Sequence, residues 1–138
     1  MLDSVTDLAS LLKDPSLLVT KAYVAGQWVD ADDGSTFPVT NPARGDVICH
    51  LPNLGRAEAA RAIKAAHAAH RSWATWTGKE RAQTLRKWFD LCMANQDDLA
   101  TILTAEMGKP LAEAKGEIAY GSAYIEFYGE EAKRTYGD

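Results

Sequence analysis

The sequence predicts an α/β fold: short strands over residues 21–54, followed by three helices over residues 56–138. Three observations lead there. Residues 21–54 carry short apolar runs separated by turn signals. At Arg56 the hydrophobic period changes from two to about 3.6. The last segment repeats apolar residues at helical spacing on two sides. An N-terminal extension, residues 1–20, precedes the strands.

In the extension, Leu8, Leu11 and Leu12 fit a short amphipathic helix packed on the body of the protein, with Ser4 as N-cap and Pro15 as the stop. Tyr23-Val24 and Trp28-Val29 flank Ala25-Gly26, which reads as a tight turn between two strands. Thr36 to Thr40 forms a further strand. Pro38 lacks an N–H and places it at an edge or makes it irregular. Asn41-Pro42-Ala43-Arg44-Gly45-Asp46 is a turn, and Val47 to Leu51 returns as a strand ended by Pro52.

From Arg56, the residues Ala59, Ile63, Ala66, His70 and Trp73 step along one helix face. Thr77-Gly78-Lys79-Glu80 fits a capping box opening the next helix, whose stripe is Ala82, Leu85, Phe89 and Cys92. Asn95, followed by Asp97 and Asp98, reads as a fresh N-terminus, because Asn caps well and carboxylates suit the positive dipole end. Leu99, Ile102 and Leu103 continue the apolar face, and Gly108 stops it in a left-handed cap. The last helix runs from about Pro110 to Tyr136. Ile118, Ile125 and Ala132 line one side; Gly116, Tyr120 and Tyr124, or Tyr120 and Phe127, line another. One stripe faces neighbouring helices and the other faces something else. Gly116 and Gly121 each cost about 1 kcal/mol of helix propensity, which points to close approach of another element.

Composition narrows the function classes. A net charge of −4 opposes general nucleic-acid binding, which needs clustered cations. No apolar run reaches the length of a membrane span, and the acidic start is unlike a secretory signal, so a cytoplasmic protein is expected. Cys49 and Cys92 form no CxxC pair and read as reduced thiols. Cys49 and His50 are strand neighbours on opposite faces and cannot easily pair. His67 and His70 share a helix face, but zinc would need further ligands, with Glu58 or Glu106 as the candidates. The stretch Arg71 to Lys87 mixes cations with Trp73 and Trp76, and reads as a packed helix pair with a solvated basic face. Glu106 and Lys109 flank Gly108 and read as a capped helix end rather than an acid–base couple. No glycine-rich phosphate loop or nucleophile elbow is present. Residue chemistry alone yields no catalytic constellation.

Tyr23 to Asp30, Val39 to Ile48 and Glu106 to Ile118 resemble, in order, three segments of the aldehyde dehydrogenase superfamily. The family writes the first turn with Asn-Gly where this chain has Ala25-Gly26. Within the superfamily, Leu12 to Leu17, Lys79 to Ala82, Leu85 to Phe89, Asn95 to Ala100 and Pro110 to Tyr120 are most similar to bacterial succinate-semialdehyde dehydrogenases. The resemblance covers nearly the whole chain.

The resemblance implies an enzyme that oxidises a small aldehyde, here succinate semialdehyde to succinate, with NAD or NADP. In the family a cysteine thiolate attacks the aldehyde, hydride passes to nicotinamide and a glutamate base assists hydrolysis of the thioester. An Asn of a Pro-Trp-Asn motif stabilises the oxyanion. By the resemblance these parts lie beyond the position matching Asp138, and neither Cys49 nor Cys92 matches the nucleophile. Residues 21–138 therefore correspond to the N-terminal portion of the cofactor-binding domain, in a fragment or truncated product. Its helices would pack on a Rossmann-like sheet that the chain lacks. No catalytic, cofactor-binding or metal residue is assigned, and the chain alone is expected to be inactive and to bind no cofactor. Gly116, Tyr120 and Tyr124 are assigned to the wall of the substrate passage. Orphaned apolar helix faces predict self-association or docking. The alternative is a stand-alone helical interaction module without catalytic activity.

Overall fold

The computed structural model describes residues 8–134. Ser4 and Tyr136 lie outside them. Four strands form two separate antiparallel ribbons, and four α-helices follow from Arg56 on.

Strands β1 (Ala22–Val24) and β2 (Gln27–Val29) pair through a two-residue turn. Ala25 and Gly26 both have positive φ, 53° and 83°, the backbone of a hairpin turn that matches the strand twist. Across the ribbon, the Tyr23 and Trp28 rings sit 4.9 Å apart. Strands β3 (Thr36–Thr40) and β4 (Val47–Pro52) form the second ribbon, with Pro38 opposite His50 and a register shift between Val39 and Thr40. Both strands are edges, which accommodates Pro38. The intervening turn is held by Asn41, whose side chain accepts from the Ala43 N–H at 2.9 Å, and by an Arg44–Asp46 ion pair.

Helix α1 (Arg56–Thr75) is followed by α2 (Gly78–Ala94), α3 (Gln96–Met107) and α4 (Leu111–Glu131). The sequence predicts three helices but also a fresh N-terminus at Asn95, and that N-terminus makes the count four. There the backbone leaves the helix, and the Asn95 side chain donates to the Leu91 carbonyl at 2.9 Å. Asn95 occupies the N-cap position of α3, as expected, while its side chain closes α2 instead of capping α3. The Thr77–Glu80 capping box forms as expected, with Thr77 N–H donating to Glu80 at 2.8 Å and Glu80 N–H donating back to Thr77 Oγ1 at 3.2 Å. Gly108 ends α3 with φ 78°. A side chain there would also meet Pro42 Cγ at 3.0 Å, so the β3–β4 turn packs directly on this helix end.

Helix α4 stops at Glu131, short of Tyr136. Its last turn abuts the start of α2, where a Cβ at Gly78 would collide with the Ala132 carbonyl. The α2 stripe Ala82, Leu85, Phe89 and Cys92 turns inward, and Gly129 of α4 packs on Leu85. Ala114, Ser122 and Gly129 are the buried residues of α4, joining the half-buried Ile118, Ile125 and Ala132. The expected close approach at Gly116 and Gly121 does not occur: nothing lies within 4 Å of a Cβ at either. The close contacts fall at Gly78 and Gly129 instead.

A second cluster joins the N-terminal segment to the β3–β4 ribbon and α3, with Leu8, Ile48, Cys49 and Ala105 buried and Leu18, Val39 and Leu51 against them. Helix α1 is different. No described residue of it is buried, and Ile63 on its predicted apolar stripe is 70% exposed. Beside it lie Tyr23 to Gly26 of the β1–β2 ribbon, across a cleft lined by Ala62, Ala65 and Ala69, and Asp32, which is ion-paired with Arg61. No described helix is long and apolar enough to cross a membrane.

Candidate functional site

Four exposed aromatic residues, Tyr120, Tyr124, Phe127 and Tyr128, gather on α4. Gly116, Tyr120 and Tyr124 recur at intervals of four and therefore share a face, as their spacing requires. The Tyr120 and Tyr124 rings meet edge to face, with centroids 5.1 Å apart and planes at 89°. Their hydroxyls share a 2.7 Å hydrogen bond, which pushes the Tyr124 phenol above its ordinary value. Phe127 and Tyr128 form a second edge-to-face pair at 5.3 Å. Tyr120, Ala123, Tyr124, Phe127 and Tyr128 line an open cleft of about 380 Å³. Gly116 and Tyr120 also line an adjoining cleft of about 470 Å³ with Lys109, Glu113 and Glu117. Tyr120 thus divides an aromatic half from a charged half.

In the charged half, the Lys109 ammonium is ion-paired with Glu117 and its side chain is largely covered. Lys109 is therefore not coupled to Glu106 as an acid–base pair. Burial pushes the Glu106 carboxyl upward. The site can offer apolar ring faces edged by hydroxyls. Its spacing revealed Tyr120 and Tyr124. It also held the signal for Tyr128, four residues beyond Tyr124, which the sequence reading did not use.

The remaining candidates are dispersed. His67 and His70 are exposed on α1, and among the described residues no group of three His, Cys, Asp or Glu side chains converges on a metal position. Cys49 is buried and His50 exposed, on opposite faces as expected. Burial and the nearby Glu106 charge raise the Cys49 thiol, which therefore stays protonated at neutral pH. In the basic stretch, Arg86 is paired with Asp90 and Glu126.

A dinucleotide would seek a helix N-terminus with free N–H groups. Here α1 opens with Glu58 accepting the Gly55 N–H at 3.0 Å, and α2 opens with Glu80 on Thr77. Helix α3 opens with Asp97 and Asp98, and α4 with Glu113. Each positive end already carries a carboxylate, which disfavours a second anion. The described residues do not fit a pyrophosphate seat.

The model of the aldehyde dehydrogenase family matches residues 28–138. The chain belongs to the aldehyde dehydrogenase family. It is 58% identical over 127 residues to a glutarate-semialdehyde dehydrogenase of Pseudomonas aeruginosa, covering 92% of this chain and 26% of that protein. It is 50% identical over 127 residues to an NADP(+) succinate-semialdehyde dehydrogenase of Escherichia coli, with the same coverage of 92% and 26%. The crystal structure of a succinate-semialdehyde dehydrogenase from Burkholderia pseudomallei superposes with a TM-score of 0.90 at 57% identity, again over 92% of this chain and 26% of that one. The chain thus spans about a quarter of the length of these aldehyde dehydrogenases.

Proposed function

We propose that this chain is the N-terminal portion of an NAD(P)-dependent aldehyde dehydrogenase acting on a short aldehyde that ends in a carboxylate. The substrate is succinate semialdehyde, oxidised to succinate, or its homologue longer by one methylene, glutarate semialdehyde. Residues 21–138 contribute the N-terminal portion of the cofactor-binding domain, behind the extension of residues 1–20. The observation that carries this reading is the family membership, joined to relatives that act on these two semialdehydes.

In this reading, Gly116, Tyr120 and Tyr124 form one wall of the substrate passage. Their rings exclude water and flank the substrate's carbon chain without moving a proton. An apolar wall discriminates one methylene by about 1–3 kcal/mol, the scale on which the two substrates differ. Nucleophile, base and cofactor seat come from outside these residues, since Cys49 is a buried, protonated thiol and the helix ends carry carboxylates. The chain alone is therefore inactive.

A chimera tests this. The matching quarter of the P. aeruginosa relative is replaced by this chain, and NAD(P)H formation is followed with both semialdehydes. The chimera is expected to turn over, and Tyr120→Ala in it to shift KM several-fold with a smaller change in kcat. An inactive but folded chimera, or turnover by the isolated chain, overturns the reading.

A further inference from the structure

We infer that residues 8–18 form a strap that opens as a separate unit, that Asp98 is its latch, and that opening it uncovers Cys49. The strap crosses from the β3–β4 ribbon to the start of α3. At one end Leu8 is 0% exposed, in a cluster with Ile48, Cys49 and Ala105, and Leu18 packs on the same cluster. Between them Leu12 is buried too. The side chains that cover the Cys49 cluster from this direction therefore belong to the strap.

The strap's backbone hydrogen bonds join near neighbours, such as Leu11 to Leu8 and Leu18 to Pro15. It is not a strand of either ribbon. Two adjacent carboxylates on α3 anchor it. Asp98, 4% exposed, accepts the Lys13 N–H at 3.0 Å on one oxygen and the Asp14 N–H at 2.8 Å on the other. Asp97 beside it receives Lys13 Nζ at 2.8 Å and Lys115 Nζ at 2.7 Å, tying the strap to α4 as well. The Asp97 bridge is solvated and weak, whereas Asp98 is buried and satisfies two backbone donors. A segment outside both ribbons, with two backbone donors that end on one buried carboxylate, is the kind that opens below the global unfolding free energy. The α2–α4 packing around Leu85 and Gly129 uses none of these carboxylates and stays shut.

The test is hydrogen exchange of the 138-residue chain at sub-denaturing urea, read by peptide, with alkylation of Cys49 followed in a Cys92→Ser background. Peptides holding Lys13 and Asp14 are expected to exchange at least tenfold faster than those of α2 and α4, and Cys49 alkylation to follow the strap. Asp98→Asn keeps the shape but turns an NH2 toward one of the two N–H donors. It is expected to speed strap exchange and Cys49 alkylation at least tenfold while α2 and α4 are unchanged. Loss of protection in strap, α2 and α4 together at every urea concentration overturns the inference, as does Cys49 alkylation that follows α2 and α4. Should Asp98→Asn fail to fold, the urea series on the parent chain decides alone.

Discussion

Ala25 holds a φ of 53°, in the left-handed region where its Cβ crowds the following carbonyl at a cost of about 1–2 kcal/mol. Gly26, the second turn residue, meets no such penalty. Ala25→Asn places at this position a residue that tolerates the conformation. It is expected to stabilise the β1–β2 ribbon by about 1 kcal/mol, read as a higher midpoint of denaturation. The Ala-Gly dipeptide was legible as a turn in the sequence; the strain at its first residue appears only with the dihedral. At Asp97, hydrogen bonds and charge from Lys115 and Lys13 hold the carboxyl at about 2. A lowered folded value contributes stability that is complete above the ordinary carboxylate range and is lost as pH falls toward 2. The denaturation midpoint should therefore fall between about pH 4 and pH 2, and Asp97→Asn should remove part of that fall.

At the scale of elements, Gly78 is the tightest joint. A methyl there would collide with the Ala132 carbonyl, so Gly78→Ala is expected to cost about 1–3 kcal/mol. Gly121→Ala, in open space on α4, is expected to gain about 1 kcal/mol from helix propensity. Thermal melts followed by helix signal check both. The sequence reading named Gly116 and Gly121 as the close contacts because propensity is local, whereas the crossing point of α2 and α4 depends on residues roughly fifty positions apart. Local devices were legible for the complementary reason: Thr77 and Glu80 are three residues apart and cap each other. Asn95 takes the N-cap position of α3, but its side chain makes no capping bond and donates instead to the Leu91 carbonyl at the end of α2.

The whole molecule exposes 9520 Å², against about 7,000 Å² for a compact monomer of its mass. Part of the excess lies on α1 around Ile63 and on the aromatic face of α4. The two stripes of α4 announced a surface needing a partner; the sequence held no sign of which faces the ribbons would cover. The site was legible as a helical stripe, and the Lys109–Glu117 pairing beside it was not. The isolated chain is expected to self-associate and bind a hydrophobic dye. A monomer by sedimentation that melts sharply and leaves the dye dark would contradict this.

The long reach of the strap also sets an order of events during synthesis. Asp98 follows Lys13 by 85 residues, so the latch does not exist when the strap leaves the ribosome. At translation speeds of about 5–20 residues per second, that gap lasts roughly 4–17 s. Throughout it Leu8 and Leu12 have no α3 to cover them. The nascent chain therefore displays a leucine-rich segment for seconds, long enough for a chaperone to meet it before the fold can claim it.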